Sequence, residues 1–280
     1  MPAERSTHVL VVGIDGVRFD SLQEAETPNL DLIAAAGFLT PIQVAGANPT
    51  ISAPVWSSVA TGVDADQHGV LDNSGRPAAL DRFDDFAAVL QRARPGSTAL
   101  IAASWHPLVR SSGNGPLFSS GGWASPTDPD ASGSVADAYA ADAEVAEYAA
   151  QRLRAEPVDL AFVYFGVPDV VCHDVGTGVD YQRAIESSDA RLGQLLDAVA
   201  ARPNRSREAW TVFVVTDHGH LADGGHGGDS AEERTAWLAA SGPGFSGPAR
   251  DLSHADIPVQ VLASFGVAHP AASGRVFDAV

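Results

Sequence analysis

Residues 210–226 read Trp210-Thr-Val-Phe-Val-Val-Thr216 followed by Asp217-His-Gly-His-Leu-Ala-Asp-Gly-Gly-His226. The apolar run is typical of a buried strand, and the ten residues after it hold three of the chain's nine histidines. Imidazole and carboxylate groups are the ligands that divalent transition metals prefer, and glycine lets a loop fold tightly around an ion. Because open α/β sheets place their chemistry at the carboxyl ends of strands, this stretch predicts a metal site at such an end.

The rest of the chain alternates apolar runs of strand length with helical patterns. Strands are predicted at 8–14, 39–45, 98–103, 158–165, 211–216 and 235–241. Helices are predicted at 27–37, with Thr27 as N-cap and Gly37 as stop, and at 53–61, 82–93, 135–155, 181–201 and 256–265. Residues 111–133, rich in Ser, Gly, Pro and Asp, are expected to form a long surface loop. This order predicts an α/β fold: a three-layer α/β/α sandwich with a mostly parallel central sheet.

Length and composition narrow the class of protein. A chain of 280 residues with 45% hydrophobic and 19% charged residues is typical of one globular domain, here 1–280. Its formal net charge of -18 argues against binding to nucleic-acid polymers or anionic membranes. The single cysteine, Cys172, excludes an intrachain disulfide. We see no signal peptide and no run of about 20 apolar residues, so we expect a cytoplasmic protein.

Polar residues follow the ends of several predicted strands. Asp15 lies between glycines after the first strand, where it is either a turn residue or a ligand. Ser52 precedes a helix, and on local grounds the N-cap interpretation is favoured over a nucleophile. Asp169 and His173, four residues apart, lie on one side of a helical turn and form either a chelating pair or a structural ion pair. Since a parallel sheet brings strand ends together, the combination favours a metal site over a set of unrelated caps and turns.

An ordered set of motifs gives the chain a resemblance to the alkaline phosphatase superfamily, most closely to its type I phosphodiesterase/nucleotide pyrophosphatase branch. The resemblance covers nearly the whole chain. It rests on Gly13-Ile-Asp-Gly16, Thr27-Pro-Asn-Leu30, Pro49-Thr-Ile-Ser-Ala-Pro54, Thr61-Gly62, His68-Gly69, Pro168-Asp-Val-Val-Cys-His173 with Gly176, Thr216-Asp-His-Gly219 and Gly225-His-Gly227.

The resemblance implies two divalent metal ions, with Zn²⁺ favoured and Mn²⁺ or iron as alternatives. One ion would take Asp15, Asp217, His218 and the oxygen of the nucleophile, which falls on Ser52 and not on Thr50. The other ion would take the remaining ligands, Asp169, His173 and His226.

The resemblance also bears on residues beside these ligands. It implies that the amide of Asn73 donates to a phosphoryl oxygen. His220 lies outside the motif and is expected to be a bystander, either behind the ligands or facing solvent. Cys172 replaces the glycine usual before the motif histidine and is expected to be a packing residue. Residues 103–133 are expected to build the pocket for the leaving group, since such loops vary on a fixed scaffold.

The reaction implied is hydrolysis of a small-molecule phosphoric ester through a phosphoseryl intermediate, with backbone N–H groups at the start of the Ser52 helix helping to hold the phosphoryl oxygens. Ser52-Ala-Pro-Val-Trp56 lacks the arginine of a sulfatase motif. No arginine follows the nucleophile closely, which favours a monoanionic diester over a dianionic monoester. A phosphomonoesterase or phosphonate (C–P) hydrolase is the alternative, and a catalytically silent metal-binding relative is a third hypothesis. The sequence specifies neither the substrate nor the oligomeric state.

Overall fold

A computed structural model describes residues 5–75, 77–110, 116–247 and 251–277. Its sheet has seven strands in the order β2-β7-β6-β1-β5-β3-β4. The pairs β1–β5, β1–β6, β3–β5 and β3–β4 are parallel, whereas β7 runs antiparallel to both β2 and β6. The prediction of a mostly parallel sheet is therefore confirmed. The strands are β1 (Ser6–Ile14), β2 (Gly37–Gln43), β3 (Ala99–Ala103), β4 (Trp123–Ala124), β5 (Leu160–Phe165), β6 (Glu208–Val215) and β7 (Thr235–Ser241).

Helices cover both faces of this sheet. Successive residues of the central strand β1 point to opposite sides, so the two sets of side chains pack against different helices. Val9 and Val11 pack with α3, α5 and α11, whereas Leu10 and Val12 pack with α2, α7, α8 and α9. The three-layer α/β/α prediction is thus confirmed. The helices are α1 (Phe19–Glu24), α2 (Pro28–Ala36), α3 (Ser52–Thr61), α4 (Ala65–His68), α5 (Phe86–Ala93), α6 (Pro129–Ser132), α7 (Val135–Ala155), α8 (Val167–Val175), α9 (Val179–Ala200), α10 (Ala231–Arg234) and α11 (Asp256–Ser264).

The register of the central strands decides what can meet at the carboxyl edge of the sheet. Ile14 of β1 pairs with Phe165 of β5, and Gly13 pairs with Val215 of β6. The three strands therefore end at the same level. The polar segments that follow them, which begin at residues 15, 166 and 216, are brought together there.

The segment 111–133 is not the surface loop that was predicted. Residues 111–115 lie outside the described residues, but Leu117 and Phe118 are buried in the core. Trp123–Ala124 extends the sheet as β4, and α6 follows. Within this otherwise polar segment, the apolar pairs Leu117-Phe118 and Trp123-Ala124 are the only local signal for burial. The packing of Phe118 against Phe162 depends on the tertiary fold.

Two helix starts also differ from expectation. Thr27 occupies the N-cap position of α2 without a side-chain cap; instead, the Asp189 carboxylate accepts hydrogen bonds from the backbone of Asn29 and Leu30. The helix predicted over 82–93 begins at Phe86, because the Asp85 side chain caps it. In both cases a carboxylate satisfies the free N–H groups of the first turn.

None of the helices within the described ranges combines the length and the apolar character that a membrane crossing requires. The cytoplasmic location stays a prediction.

The buried His254 leads to a prediction about acid stability. Its Nε2 lies 2.9 Å from the carbonyl oxygen of Thr216, and burial lowers its pKa to about 4. The unfolded chain takes up this proton near the ordinary pKa, so the free energy of unfolding decreases as the pH falls through that range. Between pH 7 and pH 5, we expect the free energy of unfolding of His254→Gln to fall about 2 kcal/mol less than that of the wild-type protein. Denaturant unfolding of both proteins at the two pH values measures it; equal decreases would contradict it.

Candidate active site

Asp15 follows the last residue of β1 and is completely buried. Its Oδ2 accepts two hydrogen bonds, from Trp56 Nε1 at 2.7 Å and from Tyr164 Oη at 2.5 Å. Its Oδ1 lies on the other side, 3.5 Å from Ser52 Oγ and 3.8 Å from His218 Nε2. One oxygen is therefore held by the protein, and the other is presented to the site.

The close approach of Trp56 explains why the residue two positions before Asp15 is a glycine. A Cβ atom on Gly13 would lie 2.6 Å from the indole ring. Such a contact is too short for any side chain, so glycine lets the ring reach the carboxylate.

Asp217 and His218 extend from the end of β6 toward Asp15, and both are completely buried. Asp217 Oδ1 accepts a hydrogen bond from Gly16 N at 3.0 Å, whereas Oδ2 has no hydrogen-bond partner within the described part of the chain. The Nδ1 of His218 lies 3.0 Å from the carbonyl oxygen of Gly219, so the neutral ring carries its proton there. Its Nε2 lone pair then faces Asp217 Oδ2 at 3.2 Å.

A second cluster lies beside the first one and is centred on Asp169 Oδ1. This oxygen is 3.5 Å from His173 Nε2, 3.0 Å from His220 Nε2 and 3.6 Å from His226 Nε2. The nitrogens of His173 and His226 are 2.9 Å apart. The two clusters are contiguous, since ligand atoms of Asp15, Asp169 and His218 also lie within 4.8 Å of one another.

Two groups of these side chains could hold a divalent cation: Asp169 with His173, His220 and His226, and Asp15 with Asp169 and His218. Bonds of about 2.0–2.1 Å in tetrahedral geometry place ligand atoms about 3.3 Å apart, close to the separations above. Two of the imidazoles in the second cluster have the backbone partner typical of metal-ligating histidines: Nδ1 of His220 lies 3.0 Å from Gly224 O, and Nδ1 of His226 lies 2.7 Å from Thr50 O. Their Nε2 lone pairs then face a carboxylate oxygen, an arrangement that a cation between them would stabilise.

The electrostatics of the site reflect a concentration of buried negative charge. Burial raises the pKa of Asp15 well above its ordinary value, and the neighbouring Asp217 and Asp169 raise it further. Burial likewise raises the pKa of Asp217 to about 7. Burial also acts to raise the pKa of Asp169, but nearby imidazoles, His220 first, hold it below its usual range. The ionised site is therefore stable only with positive charge close to it.

Ser52 lies beside the first cluster, 3.5 Å from His218 Nε2 as well as from Asp15 Oδ1. The local N-cap interpretation is wrong: Ile51 is the N-cap, and Ser52 is the first residue of α3. Asn73 is adjacent, because its Oδ1 accepts a hydrogen bond from Ala53 N at 2.9 Å. This contact engages the backbone N–H of Ala53; the expectation that N–H groups at the start of the Ser52 helix hold phosphoryl oxygens stays a prediction.

Thr50 has a different part in the site. Its hydroxyl donates to Gly228 O at 2.8 Å and accepts from Gly227 N at 3.0 Å, while its carbonyl meets His226. The residue therefore anchors the loop that carries His226. No local pattern in the chain predicts this role.

The expectations for Cys172 and His220 have different outcomes. Cys172 is buried within the hydrophobic core, as expected of a packing residue. The alternative that His220 faces solvent is wrong, because its ring is completely buried, and its Nε2 lies 3.0 Å from Asp169 Oδ1. Two further side chains were not predicted at all: Trp56 and Tyr164, whose bonds to Asp15 form only after strands and helices far apart in sequence have packed.

A cavity of about 560 Å³ opens onto these groups. Ser52, Asn73, Asp169 and His173 are among the residues that line it. Five residues of the segment 103–133 also line it: Ser104, Trp105, Pro129, Asp130 and Gly133.

Residues 9–224 match the family described as type I phosphodiesterase / nucleotide pyrophosphatase. Because the match extends over well more than half of the chain, the protein belongs to this family, whose members are metal-dependent hydrolases of phosphoric esters. The resemblance inferred from the motifs is thereby confirmed.

Two curated relatives are similar in sequence. Ectonucleotide pyrophosphatase/phosphodiesterase family member 7 of Homo sapiens is 25% identical over 239 residues, which are 80% of this chain and 50% of the relative. The Mus musculus protein of the same name is 34% identical over 76 residues, 26% of this chain and 16% of the relative. The chain thus spans about half the length of the human relative.

Solved structures confirm the fold. Murine ectonucleotide pyrophosphatase / phosphodiesterase 5 in complex with AMP superposes with a TM-score of 0.68 at 18% identity, covering 96% of this chain and 97% of that one. A 2-O GAG sulfatase superposes with a TM-score of 0.71 at 15% identity, covering 98% of this chain and 73% of the sulfatase chain. The phosphonate monoester hydrolase of Agrobacterium radiobacter superposes with a TM-score of 0.64 at 17% identity, covering 93% of this chain and 74% of that hydrolase.

The hydrogen bond from Trp56 to Asp15 leads to a second prediction. We expect Trp56→Phe, which keeps an aromatic ring but removes the donor, to weaken the affinity for divalent ions about 10–100-fold. Competition with a chelator measures the affinity. Trp210→Phe is the matched control, because Trp210 also donates its indole N–H to a carboxylate but lies on the part of β6 remote from the site. Equal affinities in the two variants would contradict the prediction.

Proposed function

We propose that the protein hydrolyses phosphoric diesters, with Ser52 as nucleophile in a two-metal site. The observation that carries this proposal is the position of Ser52 Oγ, 3.5 Å from two metal-ligand candidates, Asp15 Oδ1 and His218 Nε2. Ser52 also opens α3, whose positive N-terminal dipole favours an anionic oxygen. Membership of the phosphodiesterase family supports the same reaction class.

The proposed ligands divide into two sets. Asp15, Asp217, His218 and the oxygen of Ser52 hold one divalent ion, and Asp169, His173 and His226 hold the other, with Zn²⁺ favoured by the mixture of imidazole and carboxylate. When bound, such ions lower the pKa of a hydroxyl group and neutralise the charge that develops on phosphoryl and leaving-group oxygens. Asp15 and Asp217 each present a single oxygen because the other accepts a hydrogen bond from the protein.

The reaction proceeds in two displacements. Ser52 Oγ attacks phosphorus, the Oγ–P bond forms, the bond to the leaving-group oxygen breaks, and the proton of Oγ ends on the released alcohol. The covalent intermediate is a seryl phosphodiester that keeps the second ester group of the substrate; water attacks its phosphorus, the Oγ–P bond breaks, and one proton of the water returns to Ser52. The net reaction adds one water to the diester and releases an alcohol and a phosphomonoester.

Asn73 holds the phosphoryl group during both displacements. Its Oδ1 is fixed by Ala53 N, which sets the plane of the amide, and its Nδ2 is the donor end for a phosphoryl oxygen. Asn73 lines the same cavity as Ser52.

The charge of the cavity supports a diester as the substrate. The described residues that line it include four aspartates, Asp130, Asp142, Asp169 and Asp174, but no arginine. A dianionic phosphomonoester gains most from an additional guanidinium, whereas the single charge of a diester is balanced more easily.

The nucleophile assignment predicts that Ser52→Ala lowers kcat at least about 10³-fold, because the hydroxyl that forms the covalent intermediate is gone. Ser57→Ala is the control: it is the same substitution in the same helix, at a buried hydroxyl that has no hydrogen-bond partner in the described part of the chain. Turnover of bis(4-nitrophenyl) phosphate measures both variants. Near-normal turnover by Ser52→Ala would refute the assignment.

The substrate class is tested by parallel assays on an aryl phosphate, a bis-aryl phosphate and phosphonoacetate, with the metal content determined on the same protein. We expect the diester to be hydrolysed fastest, and chelation to remove this activity together with the metal. Faster turnover of the monoester or the phosphonate would favour the alternative hydrolases instead. Bound metal without turnover of any ester would favour the silent binding protein.

A further inference from the structure

His220 is buried at the base of the metal-site cluster, and the proposed reaction gives it no role. Its ring is completely inaccessible to solvent. Nδ1 lies 3.0 Å from the carbonyl oxygen of Gly224, which assigns the ring proton of the neutral form to that nitrogen. Nε2 therefore carries a lone pair, and it points at Asp169 Oδ1 from a distance of 3.0 Å.

The backbone around the ring is shaped to keep it in this place. Gly16 adopts a positive φ of 64°, and a Cβ atom there would lie 2.5 Å from His220 Nε2. On the other side, a Cβ atom on Gly224 would lie 2.0 Å from the carbonyl oxygen of Cys172 in α8. Two glycines thus let the loop that carries His220 pack directly onto the helix that carries Asp169.

We propose that His220 is a fourth protein ligand of the ion held by Asp169, His173 and His226, an inference that rests on the metal centre of the proposed function. Asp169 Oδ1 is the atom that all three imidazoles approach, at 3.0 to 3.6 Å. One cation placed among these atoms satisfies the carboxylate and all three lone pairs together. The site would then differ from the ligand set implied by the family motif by one additional imidazole.

The competing role for His220 is that of a positioning residue, a protonated imidazole that donates a hydrogen bond to Asp169. In that arrangement Asp169 Oδ1 accepts a hydrogen bond from His220, and only His173 and His226 remain to share the ion with this oxygen. The ligand role accounts for the whole cluster, because three imidazoles and one carboxylate form a nearly complete shell, and zinc still accepts a fifth ligand during reaction.

Cobalt-loaded protein distinguishes the two roles without any measurement of activity. An imidazole that binds paramagnetic Co²⁺ through Nε2 gives a strongly shifted, solvent-exchangeable Nδ1–H resonance in the proton NMR spectrum. The Nδ1–H of His220 is suited to this experiment because it is buried and hydrogen-bonded to Gly224 O, which slows its exchange.

We expect His220→Gln, which retains a side-chain donor but not the imidazole, to lose one shifted resonance relative to the wild-type protein. His254→Gln is the matched control, a buried imidazole that contacts Thr216 O outside the cluster, and should lose none. His220→Asn provides the same test if the glutamine variant does not fold. An unchanged set of shifted resonances in a folded His220 variant would overturn the ligand role while leaving the metal centre intact. The absence of shifted resonances from the wild-type protein would overturn the metal centre itself.

Discussion

Three carboxylates, the buried Asp15 and Asp217 and the partly buried Asp169, lie together at the carboxyl edge of the sheet, and the rest of the site depends on balancing their charge. The mutual repulsion of these groups contributes to the raised pKa values of Asp15 and Asp217. The groups nearest to them are imidazoles, whose Nε2 atoms donate a proton when the ring is protonated and offer a lone pair when it is neutral. Buried negative charge of this kind requires positive charge beside it, from a protonated imidazole or from a cation.

A common device orients three of the proposed ligands. Each of the three has one atom engaged by the protein, which leaves the other atom for the site: Asp15 by Trp56 and Tyr164, Asp217 by Gly16, and the ring of His226 by Thr50. Such contacts fix both the orientation of a ligand and the tautomer of an imidazole before an ion arrives. The site is therefore preorganised, and little of the binding free energy is lost to ordering side chains.

Much of the fold follows from local patterns in the chain. The bounds of Val135–Ala155 and Thr235–Ser241 agree with their predictions, because helical periodicity and an apolar run are properties of consecutive residues. The structure confirms Thr27 as the N-cap residue of α2, although its side chain forms no cap, whereas Ser52 is not an N-cap. The N–H groups at these two helix starts are satisfied by Asp189 and Asn73, which are distant in sequence. The same limit applies to the buried Phe118, whose surroundings come from other elements.

The sequence by itself determined the kinds of candidate ligand, their order along the chain and the strand ends that carry them, because these depend on residue type and spacing. Only the tertiary structure decided that the hydroxyl of Thr50 holds the loop that carries His226. It also decided that His220 lies within the Asp169 cluster. The physical reason is that these positions follow from the path of a loop across α8, set by the close approach of Gly16 and Gly224 to residues far away in the chain.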